Sequence, residues 1–94
     1  MTEKYIENKL CTQVKARGGM AIKLVSPSMA GLPDRLVLLP VGKALFVELK
    51  ATGKKMRALQ VKRKRQLEGL GFLVYCIDDV KQIYKILNEG GDAK

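Results

Sequence analysis

Histidine and tryptophan are both missing from this 94-residue chain. Without histidine, no imidazole can bind a metal or serve as a general base. With no tryptophan and aromatics at 5%, an aromatic platform for base stacking is excluded as the main mode of binding. The two cysteines, Cys11 and Cys76, are far apart and have no metal-ligand spacing. Together with the missing histidine this excludes a zinc site. Cys11 falls on a predicted helix and Cys76 in an apolar strand, so both read as reduced packing residues. No apolar run approaches the length of a membrane span, and the chain turns polar within a few residues of Met1. A soluble, cytoplasmic protein is expected. Repeats, low-complexity tracts and dividing linkers are absent too, so residues 1–94 are expected to form one domain, with 1–2 and about 90–94 frayed.

What the chain does have is positive charge. Lysine and arginine number 18 against 9 acids, a formal charge of +9. Hydrophobic residues at 47% are enough for a folded core. Such a basic surplus favours a polyanion, most simply nucleic acid. Contacts to the phosphate backbone follow, and these read shape rather than sequence. Seven of the twelve residues from Lys54 to Arg65 are basic. That segment is either a solvated face or a surface that tracks phosphates.

The pattern of apolar residues predicts the order helix, three strands, helix, strand, helix. Thr2 is the N-cap of a helix running to about Arg17, with Ile6, Leu10 and Val14 as its buried stripe and Gly18-Gly19 as its stop. Met20 to Val25 reads as the first strand, with Met20, Ile22 and Leu24 sharing one face. A loop from Ser26 leads to Pro33-Asp34. The run Arg35 to Leu39 reads as the second strand, Pro40 to Lys43 as a turn, and Ala44 to Lys50 as the third strand. A helix is predicted from about Arg57 to Leu70, with Met56, Leu59, Leu67 and Leu70 as its apolar stripe. Arg63 lies within that stripe and Gln60 at its edge. Phe72 to Ile77, apolar on both faces, reads as a central strand. Asp78 or Asp79 caps a last helix whose stripe is Val80, Ile83, Tyr84 and Leu87 and which Gly90-Gly91 ends. The whole is an α/β fold.

The hairpin carries the chemistry. Folding the second strand onto the third sets Asp34 opposite Glu48 or its neighbour, while Glu48 and Lys50 share a face because side chains two apart point the same way. Ala44 and Phe46 begin that face as apolar; Glu48 and Lys50 then interrupt it. Charges enter a sheet core only when paired or ligating. One reading is an ordinary ion pair at a strand end. The other is a pair of carboxylates, Asp34 and Glu48, holding Mg²⁺ or Mn²⁺ through hard oxygen ligands, with a lysine beside them. Glu3 and Glu7 lie one turn apart on the flank of the first helix, where acids in the first turns stabilise the helix dipole.

The set Gly18-Gly19, Lys23, Ser26, Gly31-Leu32-Pro33-Asp34-Arg35, Phe46-Val47-Glu48-Leu49-Lys50-Ala51, Leu59-Gln60 and Leu70-Gly71-Phe72, in this order, resembles the PD-(D/E)xK nucleases. More narrowly it resembles their VRR-NUC branch, in its small stand-alone phage and bacterial form, over nearly the whole chain. The resemblance implies a restriction-endonuclease-like αβββαβ core, a mixed sheet flanked by helices, followed here by a C-terminal helix. It also implies a metal-dependent DNA phosphodiesterase related to archaeal-type Holliday junction resolvases. In that reading Asp34 and Glu48 bind the metal, and the backbone carbonyl of Leu49 is a further ligand. Lys50 orients or activates the attacking water, Gln60 positions the cluster, and Glu3 supplies the acid of the first helix, with Glu7 as fallback. Lys23, Ser26, Arg35, Lys54, Lys55 and Arg63 are candidates for holding DNA.

Stand-alone members of the family imply a homodimer that cuts four-way junctions, since two-fold symmetry presents two sites to two equivalent strands. Cleavage of flaps or other branched DNA is the alternative within the same class. A non-catalytic basic domain that binds nucleic acid is the alternative from another class. A purely structural protein with an incidental ion pair predicts no salt-sensitive DNA binding.

Overall fold

The computed structural model describes residues 1–92 and has the order α1 (Glu3–Ala16), β1 (Met20–Lys23), β2 (Arg35–Leu39), β3 (Lys43–Leu49), α2 (Ala58–Gly69), β4 (Leu73–Ile77) and α3 (Val80–Asp92). The expected fraying of the C-terminal residues falls partly on Ala93 and Lys94, outside the described residues. At the other end Thr2 caps α1, its hydroxyl accepting from Tyr5 N–H at 3.1 Å, and the Met1 carbonyl accepts from Thr52 N–H at 3.1 Å.

The strands form one mixed sheet in the order β1-β2-β3-β4. β1, β2 and β3 pair antiparallel, and β4 runs parallel to β3. β4 is thus an edge strand, not the central strand its apolar sequence predicts. It is apolar on both faces because each face is covered locally: Ile77 enters the main core, whereas Val74 lies beside Phe46 on the other side. β1 is two residues shorter than expected, since after Lys23 the chain leaves the ladder for the loop to Asp34.

The main core lies on one face of the sheet. Ile6, Leu10 and Val14 of α1 pack with Val37, Leu39, Leu45, Val47, Leu49 and Ile77 of the strands and with Ile83, Ile86 and Leu87 of α3. Burying each such side chain stabilises the fold by roughly 1.5–3 kcal/mol. In α3, Ile86 takes a core position and Tyr84 is exposed, so the stripe lies slightly round the helix from its expected place. α3 also continues through Gly90 and Gly91 to Asp92 rather than ending at the glycines.

The other face is covered only in part. α2 lies there over the β3–β4 side, and its expected apolar stripe is not buried: Leu59 and Leu70 are exposed, Met56 and Leu67 half-buried. The buried residue of α2 is the polar Gln60. The helix is held by what Gln60 bonds to, not by a hydrophobic seam. On the β1–β2 side, Met20 and Ile22 remain exposed.

Candidate active site

The register of the hairpin builds the site. Arg35 pairs with Val47, so Asp34, one step beyond the ladder, comes to the level of Glu48. Pro33 before it is buried, and its ring fixes the backbone entering the strand. The Leu24 N–H donates to the Asp34 carbonyl at 2.9 Å, closing the loop that begins at Val25. Asp34 Oδ2 then accepts from the Leu49 N–H at 2.8 Å. This bond ties the start of β2 to the end of β3 and fixes the carboxylate close enough to Glu48 for its charge to be felt there.

Glu48 is 2% exposed, among the most buried side chains in the protein. Its Oε2 accepts from Gln60 Nε2 at 2.5 Å and lies 3.6 Å from Lys50 Nζ. Its Oε1 is equally buried and has no hydrogen-bond partner. Gln60 is itself fixed, because its Oε1 accepts from the Arg57 N–H at 2.8 Å. Burial, and next the negative charge of Asp34, push the Glu48 pKa up to about 7; Lys50 opposes the shift and Glu3 adds slightly to it. Cys76, opposite Glu48 in the β3–β4 ladder, is raised as well, by burial first and by Glu48 second.

A carboxylate with an orphaned buried oxygen, its pKa raised by burial and then by a second carboxylate, is the environment that a cation relieves. Two hard oxygen donors suit Mg²⁺ or Mn²⁺. The donor set therefore fits a divalent ion held between Asp34 and Glu48. No third acid completes a cluster: among the described residues, no three of the Asp, Glu, Cys and His type gather in metal-binding geometry.

The structure thus brings Asp34, Glu48, Lys50 and Gln60 together and separates the two candidate acids of α1. Glu7 is taken by Arg35, whose Nε donates to Glu7 Oε2 at 3.0 Å and whose Nη2 lies 2.9 Å from the same oxygen. Glu3 is exposed and lies within electrostatic reach of Glu48. Of the two, Glu3 is the one with no ion pair to an arginine and with a charge that reaches Glu48.

The DNA-binding candidates divide in the same way. Lys23, Lys54 and Lys55 are exposed. Ser26 is half-buried, its hydroxyl 3.5 Å from that of Ser28. Arg35 is committed to Glu7 and to the Ala21 carbonyl, to which Nη1 donates at 2.9 Å. Arg63 donates to the Ala30 carbonyl at 2.8 Å and to Gln66 Oε1 at 2.9 Å. These two arginines hold α1 and α2 to the sheet and its loop.

One support had no sequence signal. Asp78, at the end of β4, accepts through its carbonyl from Thr52 Oγ1 at 2.8 Å and through Oδ2 from Gly53 N–H at 3.1 Å. This latch fixes the segment between Lys50 and Lys54. It joins side chains to main chain across 25 and 26 positions, and such pairs leave no periodic trace.

Comparison with known proteins places the fold in a family. No family model matches the chain. A relative 43% identical over 88 residues, covering 92% of this chain and 95% of its own length, is named "Putative nuclease p44", from Acyrthosiphon pisum secondary endosymbiont phage 1. A solved structure described as a VRR-NUC domain matches with a TM-score of 0.85 at 29% identity, over 94% of this chain and 97% of the other. An α/β sheet of this topology is the architecture of a restriction-endonuclease-like nuclease. The chain belongs to the VRR-NUC family of nucleases.

Proposed function

We propose that the protein is a divalent-metal-dependent endonuclease acting on branched DNA as a homodimer, with the four-way Holliday junction as substrate. The observation that carries the metal dependence is the unpartnered, buried Oε1 of Glu48 next to Asp34. Asp34, Glu48 and the Leu49 carbonyl would hold Mg²⁺ or Mn²⁺. When bound, such an ion supplies Lewis-acid polarisation of the phosphate and activation of water.

The side chains then have distinct tasks. Lys50 places a positive charge beside the pair, where it stabilises the charge that develops on phosphate oxygens and orients the attacking water. Gln60 holds Glu48 in one rotamer. Asp34 is aimed by the Leu49 N–H. Glu3, exposed and with its charge felt at Glu48, is the acid of α1 that would receive a proton from water or orient it. Exposed Lys54 and Lys55, with Lys23, hold the backbone on either side of the scissile bond.

The dimer is supported by the half of the sheet that α2 leaves bare. Met20 and Ile22, with half-buried Leu36, Leu38 and Phe46 beside them in register, form an apolar face without a charged side chain. In so basic a chain, an uncharged apolar face suits a second copy better than it suits DNA.

The test is cleavage of a labelled four-way junction by wild type and Asp34→Asn, with Mg²⁺, Mn²⁺ or EDTA, beside flap and linear duplex. Symmetric nicks that need metal and disappear in Asp34→Asn, with DNA binding retained, are expected. Cutting of flaps alone would replace the junction as substrate. Tight binding without cutting under any metal would favour the non-catalytic binding domain.

A further inference from the structure

α2 touches Glu48 and the loop that ends at Asp34. Gln60 holds Glu48 directly. One turn further along the helix, Arg63 Nε donates to the Ala30 carbonyl at 2.8 Å while its Nη1 donates to Gln66 Oε1 at 2.9 Å. Ala30 lies in the loop of residues 25–33, whose end is Asp34 and whose neck is the bond from Leu24 N–H to the Asp34 carbonyl. At Gly31 the loop backbone lies against the helix: a Cβ there would come within 2.7 Å of Leu59 Cγ and 3.0 Å of the Leu59 carbonyl oxygen. Gly31 also has φ +85°, a conformation that favours glycine.

Beyond this contact the loop and helix part. An open groove of about 400 Å³ separates Met29 and Leu32 of the loop from Leu67 and Leu70 of α2. Side-chain packing does not join them there, so the Arg63 fork does. A guanidinium suits the task because its donors diverge in a fixed plane, reaching a carbonyl on one side and an amide oxygen on its own helix on the other.

We infer that Arg63 is a positioning residue for Asp34: α2 acts as one strut that sets Glu48 through Gln60 and Asp34 through Arg63 and the loop. This rests on the reading of Asp34 and Glu48 as the reactive pair, and it withdraws Arg63 from the residues that grip phosphate. The basic charge available to DNA on this segment is then that of the exposed Lys54, Lys55, Arg57, Lys62 and Arg65.

The Leu49 amide reports the position of Asp34, because Asp34 Oδ2 is its acceptor. Amide exchange by NMR, without metal or DNA, therefore tests the inference independently of activity. In Arg63→Ala, and equally in Arg63→Lys, the Leu49 amide is expected to exchange about tenfold faster or more, while Val37 and Leu45 in the core ladder keep their rates. Gly31→Ala, which pushes the loop off α2 by another route, should give the same pattern and serves if Arg63→Ala does not fold. In cleavage, Arg63→Lys should lower kcat at saturating DNA and leave KM alone, with DNA affinity and its salt slope unchanged in EDTA.

Unchanged exchange at Leu49 in both Arg63 variants would overturn the inference. So would a DNA salt slope in Arg63→Ala reduced by about one, the signature of a lost phosphate contact. If the wild-type protein cuts no DNA, the reactive-pair reading fails, whereas the exchange rates still decide what Arg63 holds.

Discussion

Glu48 is held in a state that costs the fold stability. Its carboxyl is favoured protonated in the fold, with a pKa of about 7 against an ordinary 4.5. Below pH 4.5 it is neutral both folded and unfolded, and its protonated form is compatible with burial. Between pH 4.5 and about 7 the unfolded chain ionises first, so stability declines as pH rises. Above pH 7 the folded carboxylate is charged too and the penalty is constant, of order 3 kcal/mol. Glu48→Gln, which keeps an acceptor for Gln60, is expected to remove most of that decline and to be the more stable protein at pH 8 without divalent ion. Urea denaturation at pH 4.5 and pH 8 measures it; equal pH slopes in variant and wild type would sink the account.

At the scale of the element, the β2–β3 hairpin is strained at its tip. Val41 has φ 67° and Gly42 φ 72°, and Val41 is 92% exposed. A β-branched residue in the left-handed region costs on the order of 1–3 kcal/mol, and here no burial offsets it. Val41→Asn, which tolerates that conformation, is expected to stabilise by about 1 kcal/mol and raise Tm by roughly 5 °C. A lower Tm in a thermal melt would show that the valine makes up its strain elsewhere. α2 shows the opposite kind of element: none of its leucines is buried and its anchors are Gln60 and Arg63, so its place depends on polar bonds.

At the scale of the whole molecule, charge and apolar surface are segregated. The core face of the sheet is sealed by α1 and α3, and the far face combines the acidic pair at one end with the bare apolar strip of Met20 and Ile22 at the other. In the proposed dimer that strip is covered, so Ile22→Lys should convert dimer to monomer by sedimentation at micromolar concentration while leaving the fold, read by circular dichroism, intact. A wild-type protein that sediments as a monomer at those concentrations would remove the dimer. No helix among the described residues is long and apolar enough to cross a membrane.

What was legible in the sequence was whatever rests on local pattern. The stripe Ile6, Leu10 and Val14 appeared because a helix repeats its inner face every three or four residues, and the hairpin because alternation and turn residues are near neighbours. Asp34, Glu48 and Lys50 could be grouped for the same reason: a single turn joins their strands. Tertiary structure decided what depends on distant partners. It set β4 at the edge rather than the centre, since a run apolar on both faces shows that it is covered but not by what. It turned α2 so that Gln60 went in, bonded to a buried carboxylate, while Leu59 stayed exposed and Leu67 only half-buried. It gave Glu7 to Arg35 and left Glu3 exposed, although in sequence the two acids are equivalent, one turn apart on the same flank. Periodicity places a side chain on a face; only the packed fold determines which charge that face meets.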